Sequence, residues 1–267
     1  MDGGADADAM EPTCTPASAD AGSPSYLLAP GPLPFVVDTH FFASEWEGDN
    51  SEIQLGAGLA ETDAGKADET CGGDRSSASA QGNCYKWTYG NVPAGAVIND
   101  AGATAKGYAA VEYQSLVASG NYPANFGTAP GVVIPPGATM VSFWARGAVG
   151  GEVVGFGVGQ ISNAMCNDAI IVAPANQTLT TAWTHYTIEF PVGQSYASGQ
   201  IIGFSWSAAY QANGPGDGGS DATAGDASAA SSPITFFIDS IEWVGPTSDA
   251  GVADAANDTG SNDASGQ

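Results

Sequence analysis

The sequence predicts an all-β fold whose strands close into a two-sheet sandwich or a barrel. Three observations carry this. Short runs rich in β-branched and aromatic residues recur from position 35 to 245, separated by Gly, Pro, Asn and Ser. Segments of helical period are nearly absent. About nine such runs make more apolar strand surface than a single open sheet can cover, so a second layer or closure is needed.

In chain order, residues 1–34 are rich in Asp, Ala, Pro and Ser and end on Pro30, Gly31, Pro32 and Pro34, the composition of a disordered linker. The folded domain is expected over 35–245. Its strands are expected at Phe35 to Phe42, Tyr85 to Tyr89, Tyr108 to Leu116, Thr139 to Arg146, Val153 to Val158, Ala169 to Val172, Trp183 to Phe190, Ile201 to Ala208 and Ile234 to Val244. The low-complexity stretch 213–232 has strand-like sequence on both sides and reads as a long loop inserted in the domain. Residues 246–267 are again rich in Asp, Ala, Gly and Asn, with no apolar periodicity, and are expected to form a disordered tail.

Charge narrows the choice of partners. Five Lys and Arg against 29 Asp and Glu give a formal net charge of -24, so a nucleic acid or an anionic membrane surface is repelled. Much of this acidity lies in the tails. No apolar run approaches the roughly 20 residues of a membrane-spanning helix, and the printed start is acidic where an export signal would be basic and then apolar. Cys71 and Cys84 enclose a Gly/Ser-rich loop that a disulfide would close, worth about 3 kcal/mol in an oxidising compartment. Cys14 and Cys166 are candidates for a second bridge; the alternative is four reduced thiols in the cytoplasm. We therefore expect an extracytoplasmic protein, secreted or tethered at the cell surface like a lipoprotein, with its export signal upstream of the printed start.

Catalytic signatures are missing. His40 and His185 lie in separate strand-like segments with no nucleophile elbow or activated cysteine, and metal-ligand or phosphate-loop spacings do not occur. Asp239 and Glu242 are the nearest imitation of a glycosidase acid pair, whose carboxyls lie about 5 Å apart in retaining enzymes. Three positions apart, they face opposite sides of a regular strand. A bulge at Asp239 or Ser240 would reverse that, and Phe236 and Ile238 against Ile241 and Trp243 hint at one.

Strand alternation separates the faces. Val141, Phe143 and Ala145 alternate with Ser142, Trp144 and Arg146, and Ala109, Val111 and Tyr113 with Tyr108, Ala110, Glu112 and Gln114. Polar and aromatic positions thus collect on one side of several strands. Candidate ligand-binding residues are Trp144, Arg146, Glu112, Gln114, Trp206 and Tyr210, because rings stack on sugar C–H faces while polar groups bond hydroxyls. Competing readings put Trp206 in the core, pair Trp144 with Arg146 as a cation–π contact, or join Arg146 to Glu112 as a salt bridge. Trp87 and Tyr89 read as core.

The segments GYAAVEYQSL (Gly107 to Leu116), VSFWARG (Val141 to Gly147), TTAWTHYTIEF (Thr180 to Phe190) and ITFFIDSIEWV (Ile234 to Val244) resemble, in the same order, strands of jelly-roll carbohydrate-binding modules with a galactose-binding-like fold. In such modules the closing strand often reads aromatic-Ile-Asp-Asp-Ile, matched here from Phe237 to Ile241 except for Ser240. The resemblance spans roughly 35–245. It implies a two-sheet antiparallel jelly-roll sandwich and a non-catalytic, lectin-like or adhesive domain, a monomer whose partner is a polysaccharide or glycan. It also implies a structural calcium on Asp239 with Asp38, Glu45 or Asp49, a set of hard oxygen ligands that suits that ion. The alternatives are a sandwich-fold polysaccharide hydrolase or lyase, and a structural or protein-interaction domain of the cell surface.

Overall fold

The computed structural model describes residues 14, 32–48, 53–55, 71, 73–90, 107–115, 125–192, 199–209 and 233–246. Most of the expected N-terminal tail, the 213–232 insertion and the C-terminal tail after 246 lie outside the described residues, as do Asp49 and Tyr210.

Among the described residues the strands are β1 (Phe35–Val36), β2 (Phe41–Gly48), β3 (Ile53–Leu55), β4 (Cys84–Tyr89), β5 (Tyr108–Ser115), β6 (Met140–Gly147), β7 (Val153–Val158), β8 (Val172–Thr178), β9 (Thr184–Glu189), β10 (Ile202–Ala209) and β11 (Ile234–Val244). They form two antiparallel sheets. One is six-stranded, ordered β3-β4-β11-β6-β9 with β1 on β11; the other is five-stranded, ordered β2-β5-β10-β7-β8. The fold is an all-β, two-sheet jelly-roll sandwich. No helix among the described residues is long and apolar enough to cross a membrane.

Two expected strands differ. The run Phe35 to Phe42 breaks at a 3-10 turn over Val37–Thr39, closed by the Thr39 hydroxyl donating to the Val36 carbonyl (2.7 Å) and the His40 N–H donating to Val37 (3.1 Å). That turn carries the chain between layers: Phe35 pairs with Trp243 in the six-stranded sheet, and Phe41 pairs with Ser115 in the five-stranded one. The run Ala169 to Val172 is mostly loop, and β8 begins at its last residue. Asp168 is the physical reason. Its carboxylate accepts the N–H groups of Gln160, Ile161, Ile201 and Ile202 at 2.7–2.9 Å, and Ala169 donates to the Gly199 carbonyl, so the backbone bonds here serve a loop junction instead of a ladder.

The core lies between the sheets and is strongly aromatic. Trp87, Trp206, Trp243, Tyr89, Tyr113, Phe41, Phe143, Phe204 and Phe236 are all fully buried. Trp206 meets Trp87 at 5.2 Å and Phe236 at 5.0 Å between ring centroids. Where indole N–H groups find partners they help fix the packing: Trp87 donates to the Tyr113 hydroxyl (3.2 Å) and Trp243 to the Gly203 carbonyl (3.1 Å).

On β11 the expected bulge is present. Pairing with β6 shifts between Asp239 and Glu242, and Ser240 adopts a φ of 50°. The extra residue keeps Phe236, Ile238, Ile241 and Trp243 all in the core. It also turns Asp239 and Glu242 to the same outer side, since they pair with Trp144 and Ser142 on one face of β6. Both cysteine pairs are disulfide-bonded, Cys71 with Cys84 and Cys14 with Cys166. The first ties a surface loop to the start of β4. The second anchors residue 14 beside Ile201 and Ile202.

Candidate functional site

The five described residues of the expected ligand-binding set do not share a face. Trp144 and Arg146 alternate with the core residues Phe143 and Ala145, so they lie on the outer side of the six-stranded sheet. Glu112 and Gln114 alternate with Val111 and Tyr113, which puts them on the outer side of the five-stranded sheet. Packed sheets stand about 10 Å apart, so the two pairs look away from each other across the whole sandwich. Trp206 is wholly buried between Phe236 and Trp87 and belongs to the core. A large ring flanked by Phe204 and Ala208, both inward, has no other place to go.

On the six-stranded side, Arg146 has partners other than those the sequence suggested. Its Nη2 donates to Asp74 Oδ2 at 2.7 Å, and its guanidinium carbon lies 3.7 Å from the centroid of the Phe237 ring and 5.1 Å from that of Trp183. The salt bridge to Glu112 is thus replaced by one to Asp74, and the cation–π partners are Phe237 and Trp183. Trp144 packs on His185 instead, with centroids 5.2 Å apart, while the Ser142 hydroxyl and His185 Nε2 lie 2.7 Å apart. This face is engaged with itself.

Of the residues expected to hold calcium, Asp49 lies outside the described residues, and Asp239, Asp38 and Glu45 are engaged as follows. Asp239 is fully buried. Arg75 binds its carboxylate through Nε (3.1 Å to both oxygens) and Nη2 (2.6 Å to Oδ1), and the Ser76 N–H donates to Oδ2 at 2.7 Å. The same Nη2 donates to the carbonyls of Gln81 and Gly82, both at 3.1 Å. A guanidinium, not a metal, meets the closing-strand carboxylate. Asp38 accepts from the Tyr85 hydroxyl (2.6 Å) and the Asn83 N–H (2.7 Å); burial pushes its carboxyl up to about 6, against the lowering effect of those two bonds. Glu45 sits on the other sheet, cross-strand from Glu112. Among the described residues no group of three or more His, Cys, Asp or Glu side chains is placed to hold a metal ion.

What the structure does assemble is the outer face of the five-stranded sheet. On β7 the outward positions are Gly155 and Gly157, between the inward Val154, Phe156 and Val158. A Cβ on Gly155 would lie 2.8 Å from the Ser207 hydroxyl and 3.1 Å from Asn176 Oδ1; one on Gly157 would lie 2.8 Å from the Val172 carbonyl. The neighbouring outward positions of β10 are Ser205 and Ser207, which pair with Gly157 and Gly155. These positions of the two central strands are therefore small, a low floor over which Pro174 and Asn176 of β8 reach. Along one side stand Glu45, Glu47, Glu112 and Gln114; on the other are Asn176 and, bonded to Ser205 at 3.2 Å, Gln160. Toward one end the face is open, with Tyr108, Glu47 and Asn176 exposed.

Glu112 and Gln114 are buried within this face, at 4% and 0% exposure. Gln114 Nε2 donates to Glu112 Oε2 at 2.7 Å, whereas Gln114 Oε1 is buried with no hydrogen-bond partner. Burial first, and then the charges of Glu47, Asp168 and Glu45, push the Glu112 carboxyl up to about 7, against the lowering effect of the Gln114 bond. The sign of the consequence follows. From the ordinary 4.5 to about 7, the unfolded chain loses this proton before the folded one does, so Glu112 withdraws stability as pH rises through that window. Asp38 acts likewise between 3.8 and about 6. Glu112→Gln is thus expected to leave stability near wild type at pH 4 and to raise it at pH 8 by up to about 3 kcal/mol. Urea unfolding of both proteins at the two pH values measures this, and a difference independent of pH would refute the burial penalty.

Sequence reasoning found Glu112 and Gln114 but not the glycine–serine floor or Asn176. The alternating glycines of VGFGV were the available signal, because glycine repeated on one face of a strand marks close approach of other atoms.

No protein-family model and no curated protein sequence matches the chain. Among solved structures, similar folds include the carbohydrate-binding module TmCBM61 in complex with β-1,4-galactotriose (12% identity, 75% of this chain and 88% of that one, TM-score 0.32). Two others are the family 11 carbohydrate-binding module of cellulosomal cellulase Lic26A-Cel5E of Clostridium thermocellum (13%, 81% and 96%, TM-score 0.34) and the family 30 module of the cellulosomal cellulase Cel9D-Cel44B of the same organism (11%, 82% and 96%, TM-score 0.31). At these scores the matches carry no weight for ligand or mechanism.

Proposed function

We propose that this domain is a non-catalytic, extracytoplasmic carbohydrate-binding domain that holds a polysaccharide along the outer face of its five-stranded sheet. The observation that carries this reading is the low floor of Gly155, Gly157, Ser205 and Ser207 beside the partnerless amide oxygen of Gln114. A buried acceptor left without a donor costs about 1–3 kcal/mol, and a sugar hydroxyl supplies the missing donor. Above this floor, carboxylates and amides of the flanking strands bond sugar hydroxyls. Two disulfides support an oxidising compartment.

The test is retention of the full chain on a panel of glucans, galactans, mannans and xylans, with and without calcium. Gln114→Ala and Ser207→Trp, the second filling the floor, are expected to lower retention at least tenfold with the circular dichroism spectrum preserved. Trp144→Ala on the opposite face is expected to leave it unchanged. Loss with Trp144→Ala and not with Ser207→Trp would move the ligand to the six-stranded side. A panel in which nothing is retained would favour a structural or protein-interaction domain.

A further inference from the structure

Exposure on the five-stranded face falls steeply from one end to the other. Along β5 the outward residues go from Tyr108 at 38% through Ala110 at 8% and Glu112 at 4% to Gln114 at 0%. Along β10 they go from the half-buried Ala209 and Ser207 to the buried Ser205. Side chains laid across the sheet cover the second half. Gln160 Nε2 donates to the Ser205 hydroxyl at 3.2 Å, and a Cβ on Gly157 would lie 3.0 Å from Pro174 Cδ. The face is therefore open at the Tyr108 end and shut at the Gln114 end.

One rung crosses the sheet where the two halves meet. Glu47 pairs with Ala110, Ala110 with Ser207, Ser207 with Gly155 and Gly155 with Asn176, on neighbouring strands throughout. Its middle is small, and its ends, Glu47 and Asn176, are exposed. Asn176 leans inward, since its Oδ1 lies 3.1 Å from where a Cβ on Gly155 would be. Three strand spacings, about 14 Å, separate β2 from β7. The Glu47 and Asn176 side chains narrow this to a seat about one pyranose ring wide over Ala110 and Ser207. Tyr108 stands at the open side of the seat, two residues from Ala110 on the same face of β5. Its ring lies against the bare Cα of Gly48, where a Cβ would come within 3.0 Å of Tyr108 Cδ2, and that packing sets the ring beside the seat. A sugar placed there meets Glu47, Asn176 and the covered half of the face on three sides, and solvent past Tyr108 on the fourth. An internal sugar of a chain needs two ways out of its seat, whereas a terminal sugar needs one.

We infer that this face recognises the terminal sugar of a glycan chain, seated on Ala110 and Ser207 between Glu47 and Asn176, with the next sugar leaving over the Tyr108 ring. This rests on the proposed carbohydrate-binding face and goes beyond it in fixing which part of the polysaccharide is read. A terminal sugar keeps a hydroxyl that an internal one has lost to its linkage. Glu47 accepts from such a hydroxyl, and the Asn176 amide both donates and accepts. The Tyr108 ring offers a stacking surface to the sugar that follows.

The experiment measures affinity of the full chain, by calorimetry, for hexasaccharides of β-1,4-linked glucan, galactan, mannan and xylan and for the parent polymers. Each hexasaccharide is used unmodified, with its reducing end reduced by borohydride, and with a methyl group on O4 of its non-reducing end. The expected result is that in one series a change at one end lowers affinity at least tenfold while the change at the other end leaves it within twofold. The end that responds is the one seated. The number of proteins bound per polymer chain should stay at one whatever the chain length. Tyr108→Ala and Ala110→Leu should each lower affinity at least tenfold, and Trp144→Ala should leave it unchanged. If both end-modified hexasaccharides bind as tightly as the unmodified one, or if longer polymers hold more proteins per chain, the ligand is read internally: the inference falls and the carbohydrate-binding face stands. End-sensitive binding that survives Tyr108→Ala places the seat elsewhere, and the inference falls. If no sugar binds, both fall. Should Ala110→Leu alter the fold by circular dichroism, the exposed Tyr108 and the end-modified sugars decide.

Discussion

Replacing Arg75 with alanine is expected to destabilise the domain by about 3–5 kcal/mol, because it strands the Asp239 carboxylate in a site from which water is excluded. Arg75 engages both carboxylate oxygens, with contacts of 2.6–3.1 Å, and its Nη2 also holds the Gln81 and Gly82 carbonyls. One guanidinium thus ties the disulfide-closed loop before β4 to the bulge of β11. The Ser240 hydroxyl accepts the Gln81 N–H at 3.0 Å and closes the same junction. Arg75→Lys should recover only part of the loss, since an ammonium cannot reproduce the planar fork. Asp239→Asn with Arg75→Ala should be less destabilising than the sum of the two single changes, because the double variant leaves no unpaired buried charge. Urea unfolding of the four proteins under oxidising conditions measures the coupling. Strict additivity would show that the pair contributes no mutual interaction.

How much of this was legible in the sequence depends on whether the information was local. Alternation in Val141 to Arg146 and in Ala109 to Gln114 separated inside from outside correctly, because a strand's two faces follow from its backbone alone. The reversal of phase between Ile238 and Ile241 gave the β11 bulge for the same reason. Nothing local says which sheet a strand joins. Trp144 and Glu112 present similar polar faces, yet β6 lies beside β11 and β9, while β5 lies between β2 and β10. The expected binding face was therefore assembled from both sides of the sandwich. Arg75 escaped notice because its partner is 164 positions away, beyond any periodicity. The calcium expectation took the acidic closing strand as a metal site; a single loop arginine supplies the positive charge there instead.

Trp206 shows the cost of reading alternation without knowing what lies opposite. Trp206→Ala is expected to lower stability by about 3–5 kcal/mol, the range for emptying a buried aromatic site, a large share of the roughly 5–15 kcal/mol that holds such a domain together. The indole N–H of Trp206 is buried without a partner, so Trp206→Phe removes an unsatisfied donor along with some volume. It should therefore cost clearly less than the alanine change. For a ligand platform the expectation is different: alanine would abolish glycan retention at unchanged stability, and phenylalanine would preserve stacking. Paired thermal unfolding and glycan retention on the two variants separate these outcomes. A fall in melting temperature that tracks the loss of retention places the ring in the core, where Phe236 and Trp87 leave it no open face. Loss of retention from a fully stable Trp206→Ala protein would contradict the packing described here.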